Sequence, residues 1–354
     1  MEGKALLDFY PEELEAYFKA QGLPAYRAKQ VFSWLHKGRG IDEMTNLPKA
    51  LREQLARDMR LGGVRIEKSV TSKLDGTVKF LFALEDDNII EGVLMHYKHG
   101  DTLCISSQVG CRMGCAFCAS TLAGRVRDLH AGEMLGQVLS VNRLLEDKGG
   151  HISNIVMMGS GEPLDNYEES IRFLRLVSHP QGVQIGLRHI SLSTCGLPQQ
   201  IRQLAREGLP VTLCLSLHAP DDVLRREIMP IARQYGLDEV MQAMRDYVQA
   251  TGRRAIFEYA LIRGVNDADE QAMRLAKLVR GMQCHINLIP INAVVERNWA
   301  PPPASRIQGF LNVLNKCGAS ATIRREMGDD IEGACGQLRR RYLEREEPSC
   351  NIQP

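Results

Sequence analysis

Three cysteines stand close together in one short segment of the chain: Cys111, Cys115 and Cys118, in the pattern Cys-x3-Cys-x2-Cys. Thiolates from one tight loop can each ligate a different iron of a four-iron cluster. Because most such clusters take four cysteine ligands, three close ligands leave one iron open. A structural zinc site is the alternative, but zinc takes four closed ligands, usually in two pairs, and no matching pair follows in the sequence. The spacing therefore predicts a [4Fe–4S] cluster with an open iron.

The other cysteines are scattered through this chain of 354 residues, which contains 10 cysteines in all. In a reducing compartment a disulfide framework is a poor explanation for them. Cys195 and Cys214 lie in strand-like runs and are expected to pack in the core. The net charge is only +1, so any surface for nucleic acid must be local. The first residues lack the apolar segment of a signal peptide and no apolar run has the length of a membrane span, so a cytoplasmic location is expected.

Strand-like and helix-like segments alternate from Thr102 onward. The strand-like segments are TLCISSQ, NIVMMG, HISLST, VTLCLSLH, AIFEYALI and HINLIPI. Segments with helical spacing of apolar residues lie between them. Six β-α units predict an α/β fold with a parallel sheet curved into a partial (β/α)6 barrel, whose strands are apolar almost throughout because both faces are covered. Functional sites of such folds lie at the carboxyl ends of the strands, where the three-cysteine segment also falls.

Four regions are expected along the chain. They are a small N-terminal helical domain at 1–60, a β-rich connector at 61–100, the barrel at 101–345 and a tail at 346–354. The stretch from Ala16 to Ile41 contains no Asp or Glu, and its lysines and arginines are interleaved with aromatic residues. Such a surface is one footprint of RNA binding. The alternative is a small helical domain whose aromatic residues form its core.

The sequence around the three cysteines resembles one family of radical S-adenosylmethionine (SAM) enzymes. The matching motifs are SSQVGCRMGCAFCAST, GSGEPLDNY, STCG, SLHA, FEYALIRGVND, NLIPIN and DDIEGACGQL. They are similar to those of the dual-specificity methyltransferases that modify adenine C2 in 23S rRNA and tRNA. The resemblance covers nearly the whole chain and is weakest before Tyr97. It implies a radical SAM barrel, a [4Fe–4S] cluster on the three cysteines, and two SAM molecules in each turnover.

The resemblance also assigns roles to single residues. Its SAM contacts fall on Gly161, Glu162, Ser193, Ser216, Leu217, His218 and Asn292. It matches Cys335 to the cysteine that takes a methyl group from one SAM, after which a 5′-deoxyadenosyl radical from a second SAM removes a hydrogen from that methyl group. Glu91 matches the base that removes the ring proton. Cys104 matches the thiol that releases the product by forming a disulfide.

Arginines flank both the three-cysteine segment and Cys335, and they are expected to rim the barrel mouth and contact RNA phosphates. They are Arg112, Arg125, Arg127, Arg324, Arg325, Arg339, Arg340 and Arg341. The partners that the resemblance implies are 23S rRNA and tRNA, with an electron donor such as flavodoxin or ferredoxin. A monomer with no membrane partner is expected.

Two other functions fit the same residues. One is the related resistance methyltransferase that modifies adenine C8 of 23S rRNA, because residue types at the site do not separate the two ring positions. The other is a non-catalytic RNA-binding protein with a structural iron–sulfur cluster, which needs neither an open iron nor a use for Cys335.

Overall fold

The computed structural model describes residues 5–291, 299–325 and 327–331. The α-helices are α1 (Pro11–Ala20), α2 (Tyr26–Leu35), α3 (Lys49–Asp58), α4 (Ala131–Glu146), α5 (Tyr167–Val177), α6 (Pro198–Arg206), α7 (Asp222–Ile228), α8 (Leu237–Thr251), α9 (Asp269–Leu278) and α10 (Ala304–Lys316). Short 3₁₀ turns lie at Leu6–Asp8, Ile41–Glu43, Ala119–Thr121, Leu187–His189, Pro230–Arg233 and Asp329–Ile331. The strands are β1 (Arg65–Thr71), β2 (Val78–Ala83), β3 (Ile89–Tyr97), β4 (Gly100–Cys104), β5 (Gln108–Gly110), β6 (Arg125–Asp128), β7 (Ile152–Met157), β8 (Ile190–Thr194), β9 (Thr212–Ser216), β10 (Ala255–Leu261), β11 (Cys284–Pro290) and β12 (Ala321–Ile323).

The described residues form one sheet of ten strands in the order β1-β2-β3-β4-β7-β8-β9-β10-β11-β12. Within this sheet, β4 and β7 to β12 run parallel to one another, as the alternation of strands and helices predicts. Strands β1 to β3 extend that sheet by antiparallel pairing. The expected connector strands therefore lie in the same sheet as the barrel. Because β1 and β12 are both edges, the barrel is partial rather than closed.

The prediction of six parallel strands is confirmed by β4 and β7 to β11, but two features were missed. A seventh parallel strand, β12, follows α10 and is only 3 residues long, too short to show a pattern. A separate antiparallel hairpin, β5 and β6, flanks the three-cysteine segment. The hairpin holds the two ends of that segment together.

The two faces of the sheet differ in character, and here the expectation of strands that are apolar throughout is wrong. Outward-facing residues such as Leu192, Leu213 and Phe257 are buried in the main hydrophobic core. Many of the alternate residues, which face the inside of the barrel, are polar. They include Asn154, Ser191, Ser193, Thr212, Ser216, Glu258 and Asn287. An open barrel encloses a lumen rather than a second helix layer, so its inner face need not be apolar.

The N-terminal helices pack against the barrel. Phe18 and Phe32 are buried in the same hydrophobic core as the barrel helices, so part of the aromatic set is core. The backbone N–H of Gly132, at the start of α4, donates to Asp8 Oδ1 at 2.7 Å. A carboxylate at that position favourably meets the positive end of the helix dipole.

In the described part of the chain, no helix is long and apolar enough to cross a bilayer.

Candidate active site

The three-cysteine segment forms a loop between β5 and β6, at the carboxyl edge of the parallel strands. Its start is fixed by the N–H of Cys111, which donates to the carbonyl of Gly124 at 3.0 Å. Its middle is tied down by the N–H of Ala116, which donates to the carbonyl of Ile228 at 2.8 Å. Gly114 makes the turn with φ +71°, a conformation that favours glycine. The loop is therefore held by backbone bonds and can present its thiols in a fixed arrangement.

The thiols suit an iron–sulfur cluster. Cys111 and Cys115 are buried, Cys118 is half-buried, and the charges of the three groups act on one another. Burial raises the pKa of the Cys111 thiol to about 12 and raises that of Cys115 as well, whereas a bound metal would deprotonate both. No three His, Cys, Asp or Glu side chains among the described residues converge on a single metal ion. Ligands that bind three different irons need not converge on one point.

A fully buried arginine lies beneath this loop, and the sequence analysis did not single it out. Arg225 on α7 donates from Nη2 to the carbonyl of Cys195 at 2.6 Å and from Nε to that of Leu217 at 3.3 Å. Its Nη1 has no partner in the described structure. The guanidinium favours the ionised form of Cys115 against the effect of burial. The site thus holds one fixed positive charge beside its thiols.

The residues predicted to bind SAM lie at the same edge as the loop. Ser193 on β8 and Ser216 on β9 are neighbours, with 3.4 Å between their Oγ atoms. Leu217 and His218 follow β9 directly. The ring of His218 meets that of Phe117, from the cysteine loop, edge to face with 4.6 Å between centroids. The fold therefore brings these predicted contacts and the cluster loop together.

His218 is held in one protonation state and one tautomer. Its Nδ1 accepts from the backbone N–H of Ala260 at 2.9 Å, so that nitrogen carries no proton and Nε2 does. Burial lowers the pKa of His218 to about 3. The residue has φ +58°, a left-handed conformation fixed by its carbonyl accepting from Asn266 Nδ2 at 2.8 Å. A neutral ring with one N–H donor is therefore fixed at the strand end.

The Gly161–Glu162 segment follows β7 and packs against the residues after β4. Gly161 has φ +111°, and a Cβ there would lie 2.7 Å from Gln108, so glycine is required. The Glu162 carboxylate accepts from the backbone N–H groups of Leu164 at 3.0 Å and Cys195 at 2.7 Å. Burial raises its pKa. That carboxylate already bonds to protein, and the Glu162 carbonyl accepts from the N–H groups of Asp165 at 3.0 Å and Asn166 at 3.3 Å. The Gly161 carbonyl is therefore the freer acceptor for an amine.

Glu91 and Cys104, the predicted base and resolving thiol, share the inner face of the sheet. Cys104 on β4 lies opposite Val93 on β3, and Glu91 is two residues from Val93 toward the carboxyl edge of β4. Glu91 Oε2 lies 3.4 Å from Nζ of Lys79, and both side chains are buried. Glu91 is therefore a buried acid and not a solvated residue at the edge of a strand. Lys79, on β2, was not noticed in the sequence because its partner is on another strand.

Cys335 and Asn292 lie outside the described residues, as do Cys350 and the arginine run at 339–341. The described segment nearest to Cys335 returns to the inner face of the sheet, where Met327 packs in the same small apolar cluster as Cys104. That segment is anchored to the β1–β2 turn. Asp330 accepts from Ser72 Oγ at 2.6 Å, and the N–H of Gly328 donates to Asp75 at 2.9 Å.

The arginines around the cluster loop are less available than expected. Arg112 is bonded to Asp165, and Arg125 donates to Asp128 at 2.9 Å. Arg127 Nη2 donates to Glu133 at 2.8 Å. Each guanidinium therefore already has a carboxylate partner, and a phosphate would have to compete with it. Spacing along the chain does not reveal such pairing, since most of these acids come from other elements.

Two cysteines assigned to core packing also have polar surroundings. Cys195 follows β8, and its backbone contacts both Glu162 and Arg225 beneath the cluster loop. Cys214 on β9 is buried but faces a cavity inside the barrel. Both are buried as expected, and Cys195 packs in the main hydrophobic core. The inward orientation of Cys214 on an open barrel explains why it also faces the cavity.

The N-terminal region presents a basic cavity on α2. Its volume is about 340 Å³, and it is lined by Lys29, Gln30, Ser33, Trp34, Lys37 and Asn46. Trp34 donates from Nε1 to Asn46 Oδ1 at 2.6 Å, which fixes the indole at the rim. Lys29 and Lys37 are exposed, with Lys29 in a loose 3.7 Å pair with Glu15. We call this set the α2 patch.

Comparison with known proteins agrees with the motifs. Residues 105–276 match the radical SAM superfamily, and residues 4–61 match the ribosomal RNA large subunit methyltransferase N-terminal domain. A probable dual-specificity RNA methyltransferase RlmN from Alkaliphilus metalliredigens is 52% identical over 98% of this chain and 98% of its own. One from Alkaliphilus oremlandii is 53% identical over 97% of this chain and 100% of its own.

A solved structure supports the same assignment. A radical SAM methyltransferase from Sphaerobacter thermophilus superposes with a TM-score of 0.91 at 45% identity, over 94% of this chain and 98% of that one. Membership of this superfamily implies a [4Fe–4S] cluster and SAM, in agreement with the residues at the loop. The chain therefore belongs to the RlmN family of dual-specificity RNA methyltransferases, within the radical SAM superfamily.

Proposed function

We propose that this protein methylates C2 of adenine in 23S rRNA and in tRNA. The observation that carries the proposal is the shared inner face of β3 and β4. It places Glu91 and Cys104 on neighbouring strands, at the edge of the sheet that also holds the three-cysteine loop. The relatives are named as dual-specificity RNA methyltransferases, which supports RNA as the substrate.

Cys111, Cys115 and Cys118 would hold the cluster, and the strand ends would hold SAM. The predicted SAM contacts are Gly161, Glu162, Ser193, Ser216, Leu217, His218 and Asn292. When bound and reduced, the cluster supplies the electron that makes SAM a source of a hydrogen-abstracting radical. The protein's part is to position SAM, exclude water and keep a neutral N–H donor at His218. We assign two SAM molecules to each turnover, one as methyl donor and one as radical source.

The chain's own residues then transfer the one-carbon unit and remove the proton. Cys335 takes the methyl group on its sulfur and carries it to the ring as a one-carbon unit. Glu91, which is buried beside Lys79, removes the proton from the ring carbon. Cys104 then bonds to the Cys335 sulfur, which forms a disulfide and frees the methylated base, with the thiol proton passing to the released carbon. The one electron that the radical adduct must lose would return to the cluster. A thiol on the inner face of β4, next to the returning Met327 segment, suits that last role.

RNA binding needs a second surface, because the target base must leave its stack to reach the barrel. The α2 patch offers two exposed lysines and a fixed indole for phosphate and base contacts. An electron donor such as flavodoxin or ferredoxin completes the reaction. We expect the protein to act as a monomer in the cytoplasm.

The test is covalent trapping. Cys104→Ala should leave the methyl carrier in place but remove the resolving thiol, so RNA should accumulate tethered to Cys335 through a methylene bridge. Glu91→Ala should trap an adduct as well, because the ring proton must leave before the carbon–sulfur bond breaks. Cys335→Ala should methylate neither protein nor RNA. Denaturing gels and peptide mass mapping detect these species.

The matched control is Cys317→Ala, which removes an exposed thiol at the carboxyl end of α10 and should turn over normally. Free methylated RNA from Cys335→Ala would contradict the mechanism. Mass mapping of the wild-type product decides the ring position, since 8-methyladenosine instead of 2-methyladenosine would assign the protein to the C8 activity. An absence of any methyladenosine would leave the RNA-binding alternative.

A further inference from the structure

A polar cavity lies inside the barrel, below the predicted SAM contacts. Its volume is about 300 Å³, at the lower end for small-molecule sites. The polar residues that line it include Thr102, Asn154, Ser191, Cys214, Glu258 and Asn287. Ser191 and Cys214 are two residues before Ser193 and Ser216 on the same strands. The cavity thus lies roughly 7 Å further along the inner face, toward the amino ends of the strands.

Glu258 contributes a buried oxygen without a partner. The residue is 5% exposed, and its Oε1 accepts from Asn287 Nδ2 at 3.1 Å. Its Oε2 has no hydrogen bond in the described structure. A buried oxygen left unpaired is destabilising, so its retention points to a ligand that pairs with it. Arg324, which also lines the cavity, opposes the rise in the Glu258 pKa that burial causes.

Asn154 supplies the complementary donor. Its Oδ1 lies 3.1 Å from His189 Nδ1, which orients the amide. Its Nδ2 is buried and has no partner in the described structure. The cavity therefore offers one unpaired acceptor and one unpaired donor on opposite walls, on β10 and β7. A planar ring that carries both an amino group and acceptor nitrogens would satisfy both atoms.

The cavity adjoins the residues assigned to product release. Met95, Val156 and Met158 line it, and the same residues pack in the small apolar cluster that contains Cys104. None of the predicted SAM contacts that the structure describes lines it. A ring bound there would sit next to Cys104 and below the space for SAM.

We propose that this cavity receives the target adenine, with Glu258 Oε2 accepting from its exocyclic amino group and Asn154 Nδ2 donating to a ring nitrogen. The inference rests on the proposed function, since it takes adenine in RNA as the substrate. It adds a means of base selection: a base without a 6-amino group leaves Glu258 unpaired, as in sites that reject analogues lacking a hydrogen-bonding group.

A thermodynamic cycle tests the contact. An RNA hairpin with adenosine at the target position is compared with one that carries purine riboside there, which lacks only the amino group. Wild-type protein should bind the adenosine hairpin about tenfold more tightly. Glu258→Gln should lose that affinity and show no preference between the two. The N–H of Asn287 holds the one acceptor oxygen that glutamine keeps, so its NH2 group faces the base and either change removes the same bond. If Glu258→Gln keeps the full preference, the inference is wrong.

Two further measurements test whether the effect is specific to Glu258 and whether the cavity binds the base or SAM. Glu207→Gln removes a carboxylate of a surface pair with Arg175 and should keep the wild-type preference. Equilibrium dialysis with labelled SAM should give the same affinity for Glu258→Gln and wild type. A tenfold loss of SAM binding with base preference unchanged would show that the cavity holds SAM, which overturns the inference. The cycle measures binding, so its result does not depend on whether the protein methylates the RNA. A wild-type protein that forms no 2-methyladenosine would contradict the proposed function and not this inference.

Discussion

The cluster end of the barrel and the α2 patch differ in what holds their groups in place. At the barrel, Cys115 is 9% exposed and its loop is fixed by backbone bonds to Gly124, just before β6, and to the end of α7. On the patch, the Lys29 side chain is 59% exposed and has only a loose ion pair. A buried, prearranged site depends on each atom around it. An exposed basic surface gains its affinity by adding similar charges, so each one matters less.

The largest expected effect is at the cluster. Cys115→Ser should abolish both the cluster and RNA methylation, because the remaining two thiols supply too few ligands. Iron and sulfide analysis after anaerobic reconstitution gives the measurement, with Cys284→Ser as the control, since that half-buried thiol is not at the loop. Full iron content and activity in Cys115→Ser would remove the loop from its assigned role.

The next effect concerns the close packing at the strand ends. Gly161→Ala adds a Cβ at φ +111° within 2.7 Å of Gln108, so the free energy of unfolding should fall by about 1–3 kcal/mol and SAM affinity should fall with it. Gly208→Ala is the matched control: its φ is +66° and nothing lies within 4 Å of the new Cβ. Chemical denaturation and SAM binding measure the two variants. Equal losses would mean that only backbone strain matters.

Acid should loosen the N-terminal region through His36. Burial beside Phe32, together with the nearby His179, lowers the pKa of His36 to about 3. The unfolded chain therefore binds a proton below about pH 6.5 that the folded chain does not, so stability falls as pH falls from there toward 3. At pH 5, the loss in free energy of unfolding should be about 2 kcal/mol smaller for His36→Phe than for wild type.

Denaturation curves at pH 7.5 and pH 5 measure that difference. His179→Phe removes the more exposed partner ring and should change the pH dependence less. The idea fails if His36→Phe and wild type lose the same free energy between the two pH values.

The smallest expected effect is on the patch. Replacing both Lys29 and Lys37 by glutamine should weaken RNA binding about tenfold and lower the salt dependence by about one per lost phosphate contact. Iron content and SAM binding should not change. Lys148→Gln with Lys316→Gln, two exposed lysines elsewhere, is the charge-matched control. If the salt dependence of RNA binding is unchanged in this variant, the α2 patch does not contact RNA phosphates.

Much of the fold and of the cluster loop follows from local patterns. The helical and strand periods predicted the six main parallel strands, and the spacing of Cys111, Cys115 and Cys118 predicted one loop with three thiols. The resemblance then named Ser193, Ser216 and His218, which the fold brings to the same edge. Such features lie within one element or at the ends of successive elements. Their positions can therefore be predicted from the sequence.

The amino-acid sequence by itself determined the cluster loop, the order of strands and helices, and the family. Only the tertiary structure decided which side chains meet. Lys79 reaches Glu91 across an antiparallel pair, and Arg225 is buried beneath Cys115 by the packing of α7. Glu258 and Asn154 face one cavity because three intervening strand pairings curve the sheet around it. Contacts between groups far apart in sequence depend on pairing register and sheet curvature, and no local spacing encodes either.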